Sequence, residues 1–172
     1  VKESDHTIPH SRPDITEEDV QAVASVLRSG GIAQGRETER FERETAAFVR
    51  VAAGAAVSSG TAALHLALQA AGLRIGDRVA VPAYCCASVL AGVRLAGCSP
   101  VLVDVDPARL VMDIDDLRAR VASGDLAGVV FVHLLGYFGP IDELGSPAIP
   151  VVEDCAQSLG ARIRGRHAGS FG

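Results

Sequence analysis

An α/β fold on a mainly parallel, doubly wound sheet is predicted for this 172-residue chain by three observations. Its strand-like segments are unbroken apolar runs, such as Gly128-Val129-Val130-Phe131-Val132, which suit strands covered on both faces. These runs alternate with stretches of helical periodicity, the order of βα units with right-handed crossovers. Hydrophobic residues make up 48% of the chain and charged residues 22%, the balance of a domain that buries a sizeable core.

Taken in order, Thr16 ahead of Glu17, Glu18 and Asp19 predicts a helix start, with Thr16 as N-cap and acids where the helix dipole favours them. Val20, Val23, Ala24 and Leu27 continue at helical spacing until Gly30 and Gly31 end the run. A second helix over 38–49 carries Phe41, Thr45 and Phe48 on one face. Residues 55–58 read as a short strand and 61–71 as a helix, which Gly72 and Gly76 break. A strand over 78–81 stops at Pro82, a helix covers 86–95 and a strand covers 100–104. Ile114, Leu117 and Val121 mark the inward stripe of a helix over 113–121. The strand over 128–132, a short helix after Pro140 and a strand over 149–152 complete the series. Residues 162–166, followed by His167, read as a solvated hairpin, and no internal repeat, linker or low-complexity segment interrupts the chain.

Charge and composition narrow the function classes. The formal net charge of -5 and the 4% aromatic content argue against a nucleic-acid partner or an anionic membrane surface, which need basic patches or stacking platforms. The uncharged run over 79–93 contains Pro82 and is shorter than the roughly 20 apolar residues of a membrane span. The N-terminal residues have no apolar signal segment. Cys85, Cys86, Cys98 and Cys155 form no C-x-x-C pair, and reduced thiols in the cytoplasm are expected. His6 and His10 flank Pro9 in a non-helical segment, so no metal site is expected. Fifteen of the 16 basic residues are arginine. Lys2 is the sole lysine, which excludes a P-loop and, unless Lys2 serves, an internal Schiff-base lysine.

Chemistry concentrates at two places. Ser58-Ser59-Gly60-Thr61-Ala62-Ala63-Leu64 joins a strand to a helix; it is either an ordinary capped turn or a phosphate cradle built from small residues and free helix N–H groups. Asp104 and Asp154 sit at strand ends, where open parallel sheets bind ligands; Asp154 is either a functional carboxylate or a loop-capping one.

Several further motifs occur in a recognisable order: Arg12-Pro13, Ser29-Gly30-Gly31, Gln34-Gly35, Val81-Pro82-Ala83, Val103-Asp104-Val105-Asp106, Val132-His133-Leu134 and Glu153-Asp154-Cys155-Ala156-Gln157-Ser158-Leu159-Gly160-Ala161. With Ser59-Gly60-Thr61-Ala62-Ala63-Leu64, these make the sequence resemble the DegT/DnrJ/EryC1/StrS family of pyridoxal-phosphate-dependent sugar aminotransferases from about Ile8 to the last residue. The resemblance implies the large domain of a type I pyridoxal-phosphate aminotransferase, truncated. Residues 1–50 would be an N-terminal helical segment and 51–172 an incomplete cofactor-binding domain, with the C-terminal small domain absent. It implies amino transfer, with glutamate as donor, to a nucleotide-linked keto-sugar by a homodimer with pyridoxal 5′-phosphate. Gly60, Thr61 and Ala62 would hold the cofactor phosphate, Asp154 would pair with the pyridine nitrogen, and Gln157 would bond the ring hydroxyl. A carboxylate there keeps the nitrogen protonated, so that the ring accepts electron density.

Two departures stand out. Cys86 occupies the slot where relatives place an aromatic ring contact; it is either a sulfur contact to the cofactor or a small core residue. The family's cofactor-bonding lysine would lie beyond Gly172, so the 172-residue chain alone is expected to be inactive. A sugar dehydratase of the same family and a non-catalytic fragment are the alternatives. A Rossmann domain is disfavoured, because the turn lacks G-x-G-x-x-G. His65 suits a core or interface position, and His133 either a substrate contact or a satisfied structural histidine.

Overall fold

The computed structural model describes residues 12–172, so Lys2, His6, Pro9 and His10 lie outside the described residues. The chain divides into two compact units, Val1–Glu39 and Arg40–Gly172. In the first, helix α1 (Glu17–Ser29) starts on a reciprocal capping box. Thr16 Oγ1 accepts the Asp19 N–H at 3.3 Å, and Asp19 Oδ2 accepts the Thr16 N–H at 2.8 Å. Gly30, at φ 73°, closes the helix with a left-handed cap. None of the residues of α1 is buried; its stripe of Val20, Val23 and Leu27 is exposed.

Helix α2 (Arg36–Val49) buries Ala46 and Val49 rather than the Phe41 and Phe48 face, whose rings stay about half exposed. The strand expected over 55–58 does not form: the segment has no ladder partner. The Ala56 N–H instead donates to Glu42 Oε1 at 2.7 Å, so a carboxylate takes the donor a sheet would have used. Helix α3 (Gly60–Ala70) follows, capped by Ser59.

The sheet has four parallel strands, β1 (Arg78–Pro82), β2 (Ser99–Val103), β3 (Gly128–Val132) and β4 (Val151–Asp154), in the order β2-β1-β3-β4. Helix α4 (Ala87–Leu95) connects β1 to β2, and α5 (Ile114–Ala122) connects β2 to β3. Alternate strand residues divide the core. Val79, Val81, Val130 and Val132 pack with Leu64 and Leu68 of α3 and Val89 and Val93 of α4. Ala80, Val129 and Phe131 pack with Ile114 and Leu117 of α5, with Met112 and with Ile141. The sheet is therefore covered on both faces, as its apolar runs require. The path runs outward from β1 to β2, crosses back to β3 and runs the other way to β4, so the topological switch lies between β1 and β3.

The last strand begins two residues later than the 149–152 expected, and its final residue is Asp154. Pro150 has no N–H to donate, although its carbonyl accepts from Val129. The short helix after Pro140 is a 3-10 turn, Ile141–Leu144. A two-stranded hairpin, β5 (Arg162–Ile163) and β6 (Arg166–His167), turns through Arg164 at φ 48° and Gly165 at φ 80°. Both turn residues are left-handed, as a tight hairpin of this twist demands. Contrary to the solvated reading, His167 is buried, its ring 5.3 Å from that of Phe48. Among the described residues, no helix is long and apolar enough to cross a membrane.

Candidate functional site

Close helix packing sets the start of α3. Gly92 of α4 lies against it: a Cβ there would meet Leu64 Cβ at 2.8 Å and the Thr61 carbonyl at 3.5 Å. Ser59 is extended, and its Oγ accepts the Ala62 N–H at 3.2 Å. Its carbonyl accepts the Ala63 N–H at 2.9 Å. The Gly60 and Thr61 N–H groups make no bond to protein among the described residues, which leaves two amides at a helix N-terminus for an anion.

The pairing of β3 with β4 aims the carboxylate. Asp154 stands in register with Val132, a residue of the core on the α3 and α4 side. Glu153 stands in register with Phe131, on the α5 side. Neighbouring strand residues point to opposite faces, so Asp154 is the one directed toward α3. Gly60 and Asp154 indeed line one cavity of about 560 Å³, with Phe41, Thr45, Ser88 and Leu159 among its other walls. Asp154 Oδ1 accepts the Ala156 N–H at 3.1 Å, and Oδ2 has no protein partner among the described residues.

The remaining expected site residues are placed around this cavity rather than in its lining. Thr61 and Ala62 belong to the first turn of α3. Cys86 is the exposed N-cap of α4, two residues before Ser88, which lines the cavity. The side chain and backbone N–H of Ser88 hold the Cys86 thiol below its usual pKa. Gln157 Oε1 accepts the Leu135 N–H at 2.7 Å. It thereby braces a loop at the switch point in which Leu135 adopts φ 55°, a conformation that a branched side chain takes only when its surroundings enforce it. Asp104 lies outside the cavity. Its backbone N–H bonds Asp116 Oδ2 at 3.0 Å and its Oδ1 accepts from Val105 at 2.8 Å, a loop-fastening role.

Sequence reasoning missed Glu153. Its side chain is 2% exposed and accepts from His133 Nε2 at 3.0 Å. It also accepts the backbone N–H groups of Gly169 at 2.9 Å, Gly172 at 2.7 Å and Phe171. Burial raises its pKa, but these bonds outweigh burial and hold it below the ordinary value. Gly139 N–H donates to His133 Nδ1 at 3.2 Å, so the neutral ring carries its proton on Nε2 and donates it to Glu153. His133 is thus the satisfied structural histidine. The strand alternation of Glu153 and Asp154 was the available signal: one of two adjacent carboxylates had to face the core. His133, Glu153 and Cys155 bring ligand-type atoms within 4.8 Å of one another. The four bonds already accepted by Glu153 use both oxygens, and the Cys155 thiol is pushed up to about 12 by burial and by the Glu153 and Asp154 charges. A hydrogen-bonded clamp explains the cluster without an ion.

The model of the DegT/DnrJ/EryC1/StrS aminotransferase family matches residues 13–172. Among solved structures, a sugar aminotransferase, Spr1654 of Streptococcus pneumoniae in its PLP form, superposes with a TM-score of 0.87 at 30% identity. The match covers 95% of this chain and 46% of that one. An aminotransferase from Psychrobacter cryohalolentis gives 0.87 at 34% identity, covering 95% of this chain and 43% of that one. The E. coli GDP-4-keto-6-deoxy-D-mannose-3-dehydratase with bound hydrated PLP gives 0.89 at 27%, covering 96% and 45%. The chain thus spans less than half the length of these structures. Matched by the family model over nearly all of its length, it belongs to the DegT/DnrJ/EryC1/StrS aminotransferase family.

Proposed function

We propose that residues 51–172 are the cofactor-holding part of a pyridoxal-phosphate-dependent enzyme that transfers an amino group, from glutamate, to a nucleotide-linked keto-sugar, with residues 1–50 as its N-terminal helical segment. One observation carries this reading: Gly60, at the start of α3 where two amides are free, and Asp154, a carboxylate with an unpartnered oxygen, line one cavity of about 560 Å³. Such a cavity fits a ring bearing a phosphate at one end and a basic nitrogen at the other. When bound, the cofactor supplies an electron sink for carbon–hydrogen bond cleavage.

The residues of the chain would hold and tune that ring. The Gly60 and Thr61 N–H groups, with the Thr61 hydroxyl and the positive end of α3, would take the phosphate. Ala62, whose own N–H is spent on Ser59, would add a close, small surface. Asp154 would hold the proton on the pyridine nitrogen by its negative charge. Gln157, anchored through Leu135, would orient toward the ring hydroxyl. Cys86 would meet the ring face, with its sulfur in place of an aromatic side chain. Lys2 is the only lysine, so the covalent anchor of the relatives is not supplied by the described residues.

Dehydration is the second reading, because the neighbours include a dehydratase as well as aminotransferases. The mass of the sugar product separates the two in the full enzyme: a retained amino group means transfer, and loss of water without nitrogen means dehydration. A homodimer is proposed from the uncovered apolar side chains of α1 and of Phe41 and Leu66. A cytoplasmic setting is proposed from the four free thiols. The cofactor assignment is tested by protection: pyridoxal phosphate should slow alkylation of Cys86 several-fold, and an unchanged rate would count against it.

A further inference from the structure

We propose that the chain carries a second ligand site, for a phosphate-class oxyanion, formed by Arg50, Arg162, Arg166 and His167. It surrounds a separate cavity of about 250 Å³ lined by Val49, Arg50, Gly165, Arg166, His167 and Ser170, none of which lines the cofactor cavity. The site does not rest on the cofactor reading.

The leading observation is an unsatisfied group. His167 is 2% exposed, and neither of its ring nitrogens, both buried, has a hydrogen-bond partner. Buried polar atoms are nearly always bonded, and an orphan points to a water or ion that completes it. Phe48 packs a tilted ring against the imidazole, which explains its burial but satisfies neither nitrogen.

The surroundings favour an anion over water. Arg162 is the register partner of His167 across the hairpin, so the two side chains share one face. Arg50, held at φ 65° just past α2, lines the cavity. Arg166 donates to the Ser170 carbonyl, and its guanidinium lies 3.8 Å over the Phe171 ring. None of the three arginines pairs with a carboxylate among the described residues. In a chain of net charge -5, Arg162 and Arg50 beside the imidazole and Arg166 in the cavity wall are a local excess of positive charge. Desolvation, then Arg162 and Arg50, hold that imidazole below its usual pKa, so it offers one N–H donor to an incoming oxygen. The planar fork of arginine matches phosphate oxygens in pairs. The cavity has room for a tetrahedral oxyanion and several waters, at about 30 Å³ for each water. The ring nitrogens lie beneath the surface, so the oxyanion would meet Arg50 and Arg166 first. It would reach His167 as the exposed Arg166 side chain swings aside.

Inorganic phosphate titrated into the chain at fixed ionic strength, followed by NMR of the backbone amides and of the arginine and histidine side chains, tests the site. Saturable shifts at His167, Arg50 and Arg162 are expected. Arg50→Gln and Arg162→Gln should each weaken binding about tenfold, the scale of one charge-assisted bond. Arg94→Gln on α4 should leave it unchanged. Arg162 is on an exposed strand, so its variant keeps the test open if Arg50→Gln does not fold. Shifts that fail to saturate, or equal weakening by Arg94→Gln, would overturn the site. Shifts centred on Gly60 and Thr61 would do so as well, by assigning the anion to the α3 turn while leaving the cofactor reading intact.

Discussion

Cys86 and Cys155 flank the same carboxylate yet differ in reactivity. Cys86 is exposed, and Ser88 favours its thiolate, whereas burial and two carboxylate charges push Cys155 up to about 12. Iodoacetamide at neutral pH should therefore alkylate Cys86 first, with Cys155 unmodified until the chain unfolds. Peptide mass mapping checks this order, and fast modification of Cys155 in the folded chain would contradict it. Glu153 makes the other residue-scale prediction. Its folded pKa lies below its unfolded value, so its contribution to stability is present above about pH 4.3. That contribution is lost as pH falls through the lower folded value. Glu153→Gln should destabilise the chain by about 2–4 kcal/mol and flatten the acid limb of its stability profile, read by denaturant melts at several pH values. A variant with an unchanged acid limb would remove the clamp from the account.

At the scale of elements, the contact between α3 and α4 positions the turn proposed to hold the phosphate. Gly92→Ala would place a methyl 2.8 Å from Leu64 Cβ, and overpacking of this kind costs about 1–3 kcal/mol. A lowered Tm together with shifted Gly60 and Thr61 amide resonances is expected; a lowered Tm with unmoved amides would separate the packing from the turn. Helices α3, α4 and α5 and the four sheet strands were legible in the sequence because each buries an apolar run or stripe, and α1 because Thr16 and Asp19 spell its capping box. The 55–58 segment was not, since Glu42, remote in sequence, takes the Ala56 donor. The burial of His167 was equally hidden: a polar hairpin flanked by arginines gives no sign that Phe48 will cover it. At the candidate site, the strand-end position of Asp154 beside the cavity could be read from the sequence. The work of Glu153 depends on amides 16 to 19 residues further along, contacts that no local pattern encodes.

At the scale of the whole molecule, uncovered apolar side chains predict self-association. Val20, Val23 and Leu27 of α1 are each more than half exposed, and monomers rarely leave such stripes to water. Light scattering should report a dimer or larger species that loosens when Val23 and Leu27 are changed to serine; a monomer at all concentrations would refute the interface. The central claim, that Gly60, Thr61 and Asp154 hold one phosphorylated pyridine ring, is tested most directly by calorimetric binding of pyridoxamine 5′-phosphate. This amine cannot condense with Lys2, so its affinity reports the cradle alone. The account predicts saturable binding that Asp154→Asn weakens about tenfold or more, the scale of one lost charge-assisted bond, and that Asp104→Asn leaves unchanged. No binding by the wild-type chain, or equal affinity in Asp154→Asn, would contradict it.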